Sequence, residues 1–146
     1  MLQKILRLVD SSRTTLSGLS AAESKQVNEA LSQLVLQSQA VVRATVVTAD
    51  GLVRGSFPQQ TAKDRISAMS AAMLSLGERI CGELGGGEMR YAIIAGSKTT
   101  QLLIVLSKDY ALELELRPNV SVDETLNTVT AQTQRVLETL WVSPTL

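Results

Sequence analysis

Glu113 and Glu115 stand two residues apart in the run Tyr-Ala-Leu-Glu-Leu-Glu-Leu, a spacing that puts both carboxylates on one face of a strand. Two such groups can serve as acid and base when their environments push their protonation apart. Nothing in the sequence opposes them with another acid or encloses them, so they read as the solvated face of a strand whose Leu112, Leu114 and Leu116 are buried. The run Gly96-Ser97-Lys98-Thr99-Thr100 is the nearest approach to a phosphate loop. Its Gly and Lys are not adjacent, no glycine stands five residues before Gly96, and a strand follows where a helix is required. It reads as a hairpin turn. Gly85, Gly86 and Gly87 also precede a strand, so they stop a helix and do not cradle an anion. The single cysteine, Cys81, sits among apolar helical positions as a buried structural thiol. Histidine is absent, which removes Ser-His-Asp and Cys-His nucleophiles, and no Ser-x-x-Lys motif supplies the lysine variant. No catalytic, cofactor-binding or metal-ligating residue is assigned, and the chain is not expected to be an enzyme.

The composition narrows the partners. A chain of 146 residues with 45% apolar and 19% charged side chains is expected to build one core. Its 14 basic and 14 acidic residues cancel, so no net field draws nucleic acid or an acidic membrane. Aromatic residues at 3% give no stacking platform for nucleic acid. One cysteine and no histidine exclude an internal disulfide and the common zinc sites, and fit a reducing compartment. The opening MLQKILRLVD is interrupted by Lys4 and Arg7, unlike a signal peptide, and no apolar run is long enough to span a bilayer. A cytoplasmic protein without membrane insertion is expected.

The elements follow from periodicity. Leu2, Ile5, Leu6 and Val9 make one face of a short helix, covering the domain's own edge or else reaching for a partner chain or, last in rank, a membrane surface, and residues 11–20 read as a linker. Residues 1–19 are therefore set apart from a domain at 20–146. Ser20 and Glu23 form a capping box for a helix with Val27, Leu31, Leu34 and Val35 inward. The β-branched run 41–48, the turn Ala49-Asp50-Gly51 and then Leu52 and Val53 read as a hairpin ended by Pro58. Thr61 caps a long helix that Gly85 to Gly87 end. Strands at 89–95, 100–106 and 110–116 are joined by loops short enough only for antiparallel neighbours. The middle of these is apolar on both faces and belongs inside the sheet. Ser121 to Glu124 cap a last helix with Leu126, Val129, Val136, Leu137 and Leu140 inward. The fold class is α+β: one mostly antiparallel sheet in the order α-β-β-α-β-β-β-α, with helices on both faces.

The long helix carries two surfaces. Ile66, Met69, Met73, Leu76, Ile80 and Leu84 fall on one stripe, which predicts a core-facing side. The far side presents Ala68, Ala71, Ser75 and Gly82, with Asp64 and Glu78 toward the ends, where a solvated helix carries long polar residues. Small side chains admit a second backbone, so this side is expected to meet a partner.

From Ser20 to Trp141 the chain resembles the Roadblock/dynein light chain family, in its bacterial branch that includes regulators of gliding-motility GTPases. The matching features are Val46-Val47-Thr48-Ala49-Asp50-Gly51-Leu52-Val53, the Ala/Ser/Met-rich helix 66–84 ending in Glu83-Leu84-Gly85-Gly86-Gly87-Glu88, and the strands around Ile104 and Leu112. The resemblance implies a five-stranded antiparallel, profilin-like sheet and a homodimer whose middle helices pack together while the strand near Met89 pairs with its twin. Ala68, Ala71, Ser75, Gly82, Met89 and Tyr91 are the implied dimer contacts. Family members commonly scaffold or regulate Ras-like small GTPases, some as GTPase-activating proteins. Asp64, Arg65, Ala68, Ser75 and Arg79 are the implied partner platform, and no arginine motif of the family matches Arg54, Arg65, Arg79 or Arg90. Two other readings are a small-molecule sensory module of the PAS, GAF or profilin type, which the scarcity of aromatics disfavours, and a purely structural adaptor.

Overall fold

The computed structural model describes residues 21–59 and 63–142. The elements are α1 (Ala21–Gln37), β1 (Val41–Thr48), β2 (Val53–Phe57), α2 (Lys63–Glu83), β3 (Tyr91–Ala95), β4 (Thr100–Val105), β5 (Tyr110–Leu116) and α3 (Val122–Val142). All five strands form one antiparallel sheet in the order β2-β1-β5-β4-β3. The expected α+β class and element order hold. The segment 1–19 and the caps expected at Ser20 and Thr61 fall outside the described residues.

Local signals set the boundaries. Ser121 caps α3, its hydroxyl accepting the Glu124 amide at 3.3 Å. At the end of α2 the Gly85 amide reaches the Gly82 carbonyl at 3.1 Å and the Gly86 amide reaches Cys81 at 2.9 Å. This pair of bonds closes the helix around Gly85 at φ 63°. The Asp-Gly turn between β1 and β2 places Gly51 at φ 91°. A methyl group there would also lie 3.1 Å from the Ala68 Cα, so this glycine both makes the turn and admits α2 against it.

The sheet separates two cores. On one side Val27, Leu31 and Leu34 of α1 and Val129, Val136 and Leu140 of α3 pack on Ala44, Val46, Leu102, Leu112 and Leu114. On the other, Leu74 of α2 packs with Val47, Leu103, Ala111 and Met89, joined by Met73, Cys81, Ala92 and Val105. β4 lies inside the sheet, as its two apolar faces require.

Two expectations are corrected. β5 is the central strand, between β1 and β4, so helices cover both of its faces. Glu113 is consequently buried at 6% exposure, and Glu115 is half-buried against Arg43; neither sits on a solvated face. The second correction concerns α2. Met69, Leu76, Ile80 and Leu84, expected in the core, are 58%, 52%, 50% and 79% exposed; only Ile66 and Met73 of that stripe are partly covered. The residues turned to the sheet are Ser67, Ser70, Leu74, Gly77 and Cys81. Small residues bring the helix axis close to the sheet, and a β-carbon on Gly77 would stand 2.2 Å from the Met89 Sδ.

Candidate functional site

Three stripes at alternating intervals of three and four residues run along α2, as 3.6 residues per turn demands. Ser67, Ser70, Leu74, Gly77 and Cys81 face the sheet. Met69, Met73, Leu76 and Ile80 form an apolar stripe on one flank, while Arg65, Ala68, Ala72, Ser75 and Arg79 form a fully exposed stripe of small and basic residues. Ala68 lies against the β1–β2 turn through Gly51, whereas Met73 packs in the core that includes Ala92 of β3 and Val105 of β4. The apolar stripe therefore lies toward β3.

β3 is an edge strand, bonded only to β4. Its Tyr91, Ile93 and Ile94 are each more than two-fifths exposed. An unpaired strand edge with exposed apolar side chains is a template for another strand. Tyr91 and Ile93 pair with Ile104 and Leu102 and so lie on the α1/α3 face of the sheet, whereas Ile94 shares the face that α2 covers; on that side Met69, Leu76 and Ile80 of α2 and Leu84 just beyond it are exposed apolar side chains of the kind that marks an interaction site. Together these form the candidate interface.

The residues implied as dimer contacts divide. Tyr91 is exposed on the free edge of β3, on the α1/α3 face of the sheet. Met89 is not an edge contact, because it is buried at 8% exposure beneath Gly77, inside its own protomer. Ala68 and Ser75 are exposed but belong to the small and basic stripe; Ala71 is half-buried on the flank toward the β1–β2 turn, and Gly82 is open. Of the residues implied as a partner platform, Arg65, Ala68, Ser75 and Arg79 share that exposed stripe, while the Asp64 side chain falls outside the described residues. Sequence reasoning missed that Met69, Leu76, Ile80, Leu84, Ile93 and Ile94 are exposed apolar side chains. The signal was the Ser67, Ser70, Gly77 series, since small residues suit a helix lying close on its own sheet as well as they suit a partner.

A second polar feature lies under the first half of α2. Arg43 Nη1 bonds Glu115 Oε2 at 2.9 Å, and its Nε donates to the Pro58 carbonyl at 3.3 Å. Gln101 Nε2 donates to Glu113 Oε1 at 2.6 Å, and the hydroxyls of Thr45 and Ser56 share a bond of 3.0 Å. Arg43, Thr45, Ile66, Thr99, Gln101, Glu113 and Glu115 line a cavity of about 200 Å³. Burial pushes the Glu113 carboxyl above the usual carboxylate range; Ser70 and Gln101 pull it partly back, and Glu115 adds to the rise. Two buried or half-buried acids do not make a cation cage here, because Arg43 already satisfies Glu115. Among the described residues no group of three or more His, Cys, Asp or Glu side chains converges as a metal site. No helix among them is long and apolar enough to cross a membrane.

The fold is shared with solved structures. A Roadblock/LC7 domain from Streptomyces avermitilis is 18% identical and superposes with a TM-score of 0.69 over 75% of this chain and 92% of that one. MglB of Myxococcus xanthus is 12% identical, with a TM-score of 0.73 over 86% of this chain and 95% of that one. A profilin from Schizosaccharomyces pombe is 14% identical, with a TM-score of 0.57 over 75% and 95%. No curated protein matches the sequence. The Roadblock/LC7 domain family matches residues 27–112, more than half of the chain and the whole stretch from α1 into β5 that builds this helix-and-edge surface, and the chain belongs to that family.

Proposed function

We propose that this chain is a homodimeric Roadblock/LC7 module that binds a Ras-like small GTPase and acts as its scaffold or regulator, with no active site of its own. The observation that carries the reading is the exposed apolar stripe of Met69, Leu76 and Ile80 on α2 beside the free edge of β3, where Ile94 faces the α2 side of the sheet and Tyr91 and Ile93 the other. In the proposed dimer the two β3 edges pair and the two α2 helices meet along their apolar flanks. Leu76, Ile80 and Ile94 are already about half covered, so completing their burial contributes roughly 1 kcal/mol apiece.

Dimerisation on that flank leaves Arg65, Ala68, Ala72, Ser75 and Arg79 open on the outward face of the helix, one set from each protomer. This is a low, mildly basic platform without long acidic or aromatic side chains, suited to the surface of a folded partner. Support for the GTPase as that partner comes from family membership and from likeness to MglB.

The test is to mix the protein with the small GTPases of the same organism, each loaded with GTP or GDP analogues, and to measure binding and GTP hydrolysis. Binding in one nucleotide state with unchanged hydrolysis identifies a scaffold, and accelerated hydrolysis identifies an activator. Indifference of every GTPase in both states overturns the reading and leaves a structural adaptor.

A further inference from the structure

The two edges of the sheet are built differently. β3 presents five uncharged residues, Tyr91 to Ala95, in unbroken register with β4. Among the described residues, no side chain bonds its backbone. Such an edge is open to another strand.

β2, at the other end of the sheet, is the opposite case. Its pairing with β1 slips between Val46 and Val47, so Arg54 stands at a bulge, where a charged side chain and a broken register both oppose a further strand. α1 covers the stretch that follows. Gly55 has no β-carbon, and one built there would stand 2.7 Å from Val27 Cγ1 and 3.0 Å from Asn28 Oδ1, so glycine is what admits the helix this close. From that position Asn28 reaches the strand itself, and its Oδ1 accepts the Ser56 amide at 3.2 Å. Ser56 is accordingly only 4% exposed although its strand ends the sheet. An amide already satisfied by a helix side chain does not offer itself to the carbonyl of an incoming strand.

We propose that Asn28 bars the β2 edge and so leaves β3 as the one edge at which the sheet is extended, by a second copy of this chain. The consequence for assembly is closure. Pairing at β3 alone is isologous and stops at two chains, whereas a second open edge would join each dimer to the next in an unending row. Closure at two rests on the dimer reading above; the bar is a contact within one protomer and does not.

The test is sedimentation velocity of the full chain over a wide concentration range, with Asn28→Ala and Asn28→Asp made in wild type and in Leu76→Glu. Asn28→Ala frees the Ser56 amide, and its average mass is expected to rise about twofold or more above the parent's at high concentration. In the Leu76→Glu background that rise turns a monomer into a dimer joined at β2. Asn28→Asp keeps an acceptor in the same place and is expected to sediment like its parent. A gain of mass in Asn28→Ala in either background supports the bar; a folded Asn28→Ala without gain in both overturns it, as does an equal gain in Asn28→Asp. Should wild type itself be monomeric, the dimer reading fails, while the bar still predicts that Asn28→Ala associates from that monomer. Should Asn28→Ala not fold, amide exchange of wild type decides: a Ser56 amide protected about tenfold or more supports the bar, and exchange at the unstructured rate overturns it.

Discussion

Glu113 shows how a single side chain takes its properties from the strand that carries it. On an edge strand a glutamate in an alternating Leu-Glu-Leu-Glu run is solvated, but β5 lies third of five, between β1 and β4, and α2 covers it. Its carboxyl is raised by burial before any other cause. The folded state therefore holds the proton to higher pH than the unfolded chain does. The stability tied to the protonated form is complete below the unfolded-state value and is lost as pH rises through the folded-state value. Thermal denaturation should accordingly find Glu113→Gln and wild type alike near pH 4, with the variant melting higher at pH 7.5. Equal melting at both values would show that Glu113 is solvated after all. Gly51 makes a second prediction at this scale. Its φ of 91° and the Ala68 backbone 3.1 Å from its missing methyl mean that Gly51→Ala should cost roughly 1–3 kcal/mol in denaturant titration. A loss below a few tenths would mean that the turn tolerates the side chain.

At the scale of elements, α2 is the decisive case. Leu76→Glu should abolish self-association while circular dichroism stays native, because the side chain is half exposed in the protomer and lies in the proposed dimer contact. Ser75→Arg, one position away but on the platform stripe, should leave the dimer intact and weaken the GTPase. The opposite pattern would exchange the roles of the two flanks. Most of the fold was legible from the sequence: the Asp-Gly hairpin, the Ser121 cap, the glycine stop after α2 and the doubly apolar β4 all stand where periodicity and turn chemistry put them. The interface was legible only in part. Helical periodicity shows that α2 has distinct stripes but not which one the sheet takes. A large apolar stripe is the usual core face; here Ser67, Ser70 and Gly77 take that place and displace Met69, Leu76 and Ile80 outward. Met89 was likewise read as an edge contact, whereas it fills the volume that Gly77 leaves open. The burial of Glu113 depended on strand order, which the alternation of β5 alone does not contain.

For the whole molecule, one protomer has a well-covered core between the sheet and the α1/α3 pair, and a second, smaller core under α2 whose neighbouring surface is apolar and open. The proposed dimer would complete that surface, joining two sheets at β3 and leaving two copies of the Arg65–Arg79 stripe open to a partner. Sedimentation equilibrium of the purified chain at micromolar concentration, beside Leu76→Glu, tests this most directly. A dimer mass for wild type and a monomer mass for the variant, with both folded, is the result the assembly predicts; a wild-type chain that sediments as a monomer would contradict it.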